Sequence, residues 1–173
     1  MSNAVIVVDM LRGFLEEGSP LYCGACARAI IPRVVALLTE ETAKGSAVFF
    51  VADHHTPDDP EFKVFPPHCV TGTAEAELIP ELHKFAEGTI IPKRRYSGFF
   101  DTNLESILRQ LGPEKLIICG VCTDICVLHT VADARNRDYC VEVPINCVAS
   151  FDDEAHRWAL RHMEKVLGAT LTP

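Results

Sequence analysis

Four side chains able to do covalent chemistry follow short apolar runs: Asp9 after 4–8, Asp53 after 47–52, Lys93 just past 89–91, and Cys126 in the stretch Gly120-Val-Cys-Thr-Asp-Ile-Cys126 after 115–119. An acid, a second acid, an amine and a thiol delivered to one rim would make a cysteine nucleophile with its own base. Cys126 is the expected nucleophile. Thr123 or Asp124 can cap the helix that follows, which would place the thiol in a first turn where free N–H groups and the helix dipole favour a thiolate. The same N–H groups, that of Cys126 together with that of Cys122, could receive the negative oxygen of a tetrahedral intermediate. Asp9 would take the thiol proton and hand it to the leaving group, while Lys93 balances charge and orients the pair.

A second constellation is Asp53-His54-His55, then Glu61, then Phe65-Pro-Pro-His68. Carboxylates and imidazoles in this mixture suit a borderline divalent ion such as zinc, or iron or manganese, though the spacing fits a polar loop of solvated charges equally well. In an extended segment Asp53 and His55 point the same way and His54 the other, which favours His55 as the ligand. Phe14, Phe65 and Tyr96 could line an apolar slot for a flat ring, or serve as plain packing. Cys23-Gly-Ala-Cys26 has C-x-x-C spacing but lacks a second pair at zinc-finger distance, and it does not directly follow a strand. His129 reads as a buried histidine paired to backbone.

These side chains need elements to hold them. The runs 4–8, 47–52, 89–91, 115–119 and 139–143 are apolar and rich in β-branched residues, as buried parallel strands are. Helical spacing fills the gaps at 25–44, 74–85, 103–111, 123–136 and 153–167, with Gly45, Gly112-Pro113 and Gly168 as stops. Strand and helix in alternation imply a doubly wound three-layer α/β sandwich on a mainly parallel sheet, as one domain over 1–173. In such a sheet ligands bind beyond the carboxyl ends of the strands, where the four reactive residues fall. The irregular segments 11–24 and 54–73 both follow strands ending in aspartate, and long loops of this kind are usually functional.

Composition sets outer limits. Sixteen Lys and Arg against 24 Asp and Glu leave a net charge of −8, and Lys93-Arg94-Arg95 is the only basic run, so a nucleic-acid partner is not expected. The apolar run at 4–8 is far short of the roughly 20 residues of a spanning helix, so no membrane partner is expected, and no signal peptide is visible. Cytoplasmic residence with reduced thiols is the expectation for the eight cysteines, of which Cys119 and Cys140 read as small hydrophobes.

The segments Val7-Val-Asp-Met10, Lys93-Arg-Arg-Tyr-Ser-Gly-Phe99 and Gly120-Val-Cys-Thr-Asp-Ile-Cys-Val127 together resemble the isochorismatase-like cysteine hydrolases over nearly the whole chain. The stretches Asp53-His-His55 and Phe65-Pro-Pro-His-Cys-Val-Thr-Gly-Thr73 are similar to the nicotinamidase branch, which hydrolyses nicotinamide to nicotinate and ammonia. The resemblance implies Asp9, Lys93 and Cys126 as catalytic triad and Asp53, His55 and His68 as metal ligands, with Glu61 where some members place a fourth. It also implies a zinc ion that holds the ring nitrogen, a cis Val121-Cys122 peptide before the oxyanion-hole N–H, a small-molecule amide substrate, and self-association into a homo-oligomer. His54 and Phe65 stand where many or some relatives have tryptophan, and Cys122 where alanine is common. Two alternatives share this framework: a related amidohydrolase acting on another small amide or ureido compound, and a metal-binding pseudoenzyme.

Overall fold

The computed structural model describes residues 2–86 and 90–173. Seven strands form one sheet in the order β3-β2-β1-β4-β5-β7, with β6 beside β4. They are β1 (Ala4–Val8), β2 (Ala47–Asp53), β3 (Ile90–Lys93), β4 (Leu116–Val121), β5 (Val141–Pro144), β6 (Val148–Ala149) and β7 (Thr170–Thr172). Every pairing is parallel. The central strand β1 is buried along its whole length, so its five apolar residues serve both faces.

Alternation along β1 sorts those residues into two cores. Val5 and Val7 join Ile117 and Cys119 of β4 under α1 (Arg12–Leu15), α2 (Ala25–Ala29) and α3 (Ile31–Ala43). Ala4, Ile6 and Val8 join Leu116 and Ile118 under α4 (Leu104–Leu111), α5 (Leu128–Arg135) and α6 (Asp153–Lys165). The result is the three-layer doubly wound sandwich that the strand-helix alternation predicts. Among the described residues no helix is long and apolar enough to cross a membrane.

The local departures from expectation have physical causes. The predicted helix over 25–44 is two helices, because Pro32 lacks an N–H and seats itself in the first turn of α3. The helical segment expected at 74–85 is two short 3-10 turns, Ala74–Ala76 and Pro80–Phe85, the second again opened by a proline. In the strand expected at 89–91, Thr89 lies outside the described residues, and β3 continues to Lys93. Cys119 is buried as expected, whereas Cys140 is exposed. β6 and β7 have no counterpart in the sequence reading: one is two residues long, and the other carries a single aliphatic residue, Leu171.

Strand order places the switch point between β1 and β4. From β1 the chain winds outward through β2 and β3, and from β4 it winds the other way through β5 and β7. Val8 pairs with Gly120 at the carboxyl ends of these two strands. A Cβ on Gly120 would lie 2.0 Å from the Val8 carbonyl oxygen, and its φ of +114° belongs to glycine. Gly120→Ala is therefore expected to cost about 3 kcal/mol, the upper end for an overpacked site, or about 6–12 °C of melting temperature at this chain length. Calorimetry checks this, and a variant that melts with the wild type would contradict it.

Candidate active site

Each strand end delivers its residue to the same crevice. Asp53 and Lys93 are register partners at the ends of β2 and β3. Asp9 leaves β1 with a φ of 49°, a left-handed conformation in which its N–H still donates to the Val51 carbonyl at 3.0 Å. Its Oδ1 accepts from the Asp53 N–H at 2.9 Å. Lys93 Nζ lies 2.8 Å from Asp9 Oδ2, donates to Asp53 Oδ1 at 2.5 Å, and lies 3.6 Å from Cys126 Sγ. A carboxylate oxygen of Asp9 and Cys126 Sγ are within 4.8 Å of each other. All four residues are buried.

The 2.8 Å approach of Lys93 to Asp9 Oδ2 is a buried ion pair. The Lys93 ammonium is thus the partner of Asp9 Oδ2, with the Cys126 thiol close by. Burial and then the nearby Asp53 charge push the Asp9 carboxyl up to about 7, against the pull of the Lys93 ammonium. Burial would raise Asp53 as well, but Lys93 and His55 draw it down to about 2. Two acids in one pocket are thereby driven apart, one held ionised and the other poised to exchange a proton near neutrality. Burial pushes the Cys126 thiol well up, with only Lys93 opposing it. Burial thus outweighs the activation expected of a helix start, and the expected role of Asp9 as base becomes the necessary one. The proton stays on sulfur until a base removes it, and the Asp9 carboxylate is the base beside it.

The turn around Cys126 also differs from the expected capped helix. Residues Thr123–Val127 form a π-turn that precedes α5, and neither candidate cap acts as one. Thr123 Oγ1 is hydrogen-bonded to His156 Nδ1 at 2.8 Å, and Asp124 Oδ1 is buried without a partner. The Val121-Cys122 peptide is cis. The Cys122 carbonyl accepts from the N–H groups of Ile125 and Val127, passing over that of Cys126. The widened turn keeps the Cys126 thiol facing the crevice beside Cys122. His129 pairs with the Ile125 carbonyl at 2.7 Å as expected of it, but it is exposed rather than buried, against the ring of Tyr96.

The second constellation converges next door. His55 Nε2 is 3.5 Å from Asp53 Oδ2 and 4.0 Å from Glu61 Oε1, and His68 Nε2 is 3.8 and 3.9 Å from the same two oxygens. Donor atoms of Asp53, His55 and His68 all lie within 4.8 Å of one another, so these three could hold one ion, and Glu61 Oε1 lies near both histidines. His55 Nδ1 meets Asp59 Oδ2 at 3.1 Å and His68 Nδ1 meets the Pro66 carbonyl at 2.8 Å. Both partners can only accept, so each Nδ1 carries the proton and each Nε2 presents a lone pair inward, as outer-shell partners of metal-bound histidines do. His55 Nε2 is buried with no hydrogen-bond partner. Burial and Asp53 raise Glu61, and the neighbouring carboxylates of Asp53, Asp59 and Glu61 raise His55 in spite of its burial. The residues fit a divalent metal. Asp53 belongs to both constellations, giving Oδ1 to Lys93 and Oδ2 to the two histidines.

A cleft of about 230 Å³ opens onto both constellations, smaller than the roughly 300–1,000 Å³ usual for drug-sized ligands. Phe14, Phe65 and Tyr96 all line it. Sequence reasoning missed Tyr22, Ile125 and Phe151 in its wall, the last because it follows the unpredicted β6. It also missed Asp59. That carboxylate holds His55, caps the 3-10 turn carrying Glu61 through the Glu61 N–H, and takes Arg95 at 3.0 Å. An aspartate directly before Pro60 at a helical start was the available signal.

Comparison with known proteins accords with this geometry. The isochorismatase domain family matches residues 3–172. The chain belongs to that family. Among solved structures, the nicotinamidase PncA of Bacillus subtilis superposes with a TM-score of 0.93 at 39% identity, over 100% of both chains. The pyrazinamidase of Pyrococcus horikoshii in complex with zinc gives 0.91 at 32%, over 99% of each chain. The N-carbamoylsarcosine amidase of Thermoplasma acidophilum gives 0.89 at 33%, over 99% of this chain and 96% of that one. The protein is a nicotinamidase-like hydrolase of the isochorismatase family. Because Asp59 positions two of the four candidate ligands, Asp59→Ala is expected to weaken metal retention by about 10–100-fold. Chelator competition followed by metal analysis checks this, and unchanged retention would contradict it.

Proposed function

We propose that the protein is a metal-dependent amidase that hydrolyses nicotinamide to nicotinate and ammonia through a thioester on Cys126. The observation that carries the reading is the shared carboxylate of Asp53, which joins the buried Asp9, Lys93 and Cys126 cluster to the donor set of Asp53, His55 and His68, with Glu61 beside the two histidines. When bound there, zinc or a similar ion supplies a Lewis-acid grip for the ring nitrogen of an azine amide. Phe14, Phe65 and Tyr96 give the ring its apolar walls in a cleft too small for a bulky substrate.

Asp9 Oδ2 takes the thiol proton as Cys126 Sγ attacks the amide carbonyl. Lys93 holds the developing charges near the Asp9 and Asp53 carboxylates. The N–H groups of Cys122 and Cys126 receive the oxyanion, each such donor being worth about 3–4 kcal/mol. Asp9 then gives its proton to the departing ammonia and removes one from the water that cleaves the thioester. The nicotinate so formed would enter pyridine nucleotide salvage, in the cytoplasm.

The likeness to N-carbamoylsarcosine amidase favours a second reading with the same nucleophile and a ureido substrate. Ammonia release from nicotinamide separates the two. The metal-loaded protein is expected to release ammonia, chelation to stop it and zinc to restore it, and Cys126→Ala to lower kcat by about 10,000-fold or more. Turnover of a ureido amide with none of nicotinamide selects the second reading, and full activity in Cys126→Ala contradicts both.

A further inference from the structure

The proposed mechanism leaves one pair of reactive groups in the cleft unused. Cys23 Sγ and Cys122 Sγ are 3.3 Å apart, although the residues are 99 positions apart in the chain. Both side chains are buried from bulk solvent, yet both line the cleft, so a molecule small enough to enter it can reach the pair. Cys119 and Cys147 are also buried, but neither lines the cleft.

We propose that Cys23 and Cys122 form a site of reversible oxidation by hydroperoxides, closing to an intrachain disulfide that disables the cleft. Cys23 sulfur takes one oxygen from the peroxide, releasing water and leaving a sulfenic acid. Cys122 sulfur then displaces that hydroxyl, which departs as a second water with the Cys122 proton. Two thiols are oxidised by two electrons and one hydrogen peroxide is reduced to two waters, so the step balances.

Disulfide formation requires the sulfurs to close from 3.3 Å to about 2.05 Å, a movement of about 1.2 Å. The Cys23 side of that movement draws on a loop fastened at its own N–H, which donates to the Phe14 carbonyl at 2.9 Å. The other side draws on Cys122, whose N–H is one of the two donors assigned to the oxyanion. A misplacement of about 1 Å at a reacting centre can cost about 100-fold in rate. The inhibitory consequence rests on the amidase reading; formation of the disulfide does not.

The test treats the reduced, metal-loaded protein with hydrogen peroxide, blocks remaining thiols by alkylation, and maps links by tandem mass spectrometry. The expected product joins Cys23 to Cys122, rather than to Cys119 or Cys126, and is reversed by dithiothreitol. Ammonia release should fall about 100-fold in the linked protein and return on reduction. In Cys23→Ser the link should be absent and the reversible part of the loss should vanish, leaving only oxidation at Cys126. A protein that links Cys23 to Cys26, or oxidises Cys126 with no link at Cys23, overturns the proposal. Linked protein with undiminished turnover overturns the inhibitory role. If nicotinamide is not turned over by the reduced enzyme either, the amidase reading fails while the mapped link stands on its own.

Discussion

A single ammonium group, Lys93 Nζ, is enclosed between the carboxylates of Asp9 and Asp53 and lies against the sulfur of Cys126. Burying a charge in this way is costly unless its partners are fixed, and removing one partner of a buried pair typically costs about 3–5 kcal/mol. The arrangement therefore demands that β1, β2, β3 and the turn after β4 end at the same level. The parallel register supplies that, with Asp53 opposite Lys93 and Val8 opposite Gly120. The two carboxylates are not equivalent. Asp53 is held ionised by Lys93 and His55, whereas Asp9 is raised toward neutrality by burial and by Asp53.

Asp53 makes the site one device instead of two. Its first oxygen fixes the ammonium and its second faces the imidazoles of His55 and His68, so the position of a bound ion and that of the thiol are referred to the same carboxylate. Asp59 and Arg95 extend the chain of support outward, since Asp59 holds His55, caps the Glu61 turn and is itself held by Arg95. Tight strand approach at Gly120 brings the Cys122–Cys126 turn down onto this framework.

Much of this was legible in the sequence because period and position carry it. Continuous β-branched runs mark buried parallel strands, and the rule that such sheets bind ligands beyond their carboxyl ends brings Asp9, Asp53, Lys93 and the Cys126 segment to one rim before any coordinates are known. What escaped was set by tertiary contact. The π-turn at Thr123–Val127 has no periodic signature, and burial, which keeps the Cys126 thiol protonated, cannot be read from a helix-start pattern. Phe151 belongs to the cleft only because β6 docks on β4 through two residue pairs. The approach of Cys23 to Cys122 follows from a loop path that no local spacing encodes.

The central claim is that Lys93 governs the reactivity of the Cys126 sulfur. The rate of alkylation at Cys126 by iodoacetamide, followed by mass spectrometry in the wild type and in Lys93→Met, measures it directly. Loss of a charge-assisted partner is worth about 1.5–3 kcal/mol, so the account predicts that labelling of Cys126 slows by about tenfold or more while that of exposed Cys26 and Cys140 is unchanged. Equal rates at Cys126 in the two folded proteins would contradict it.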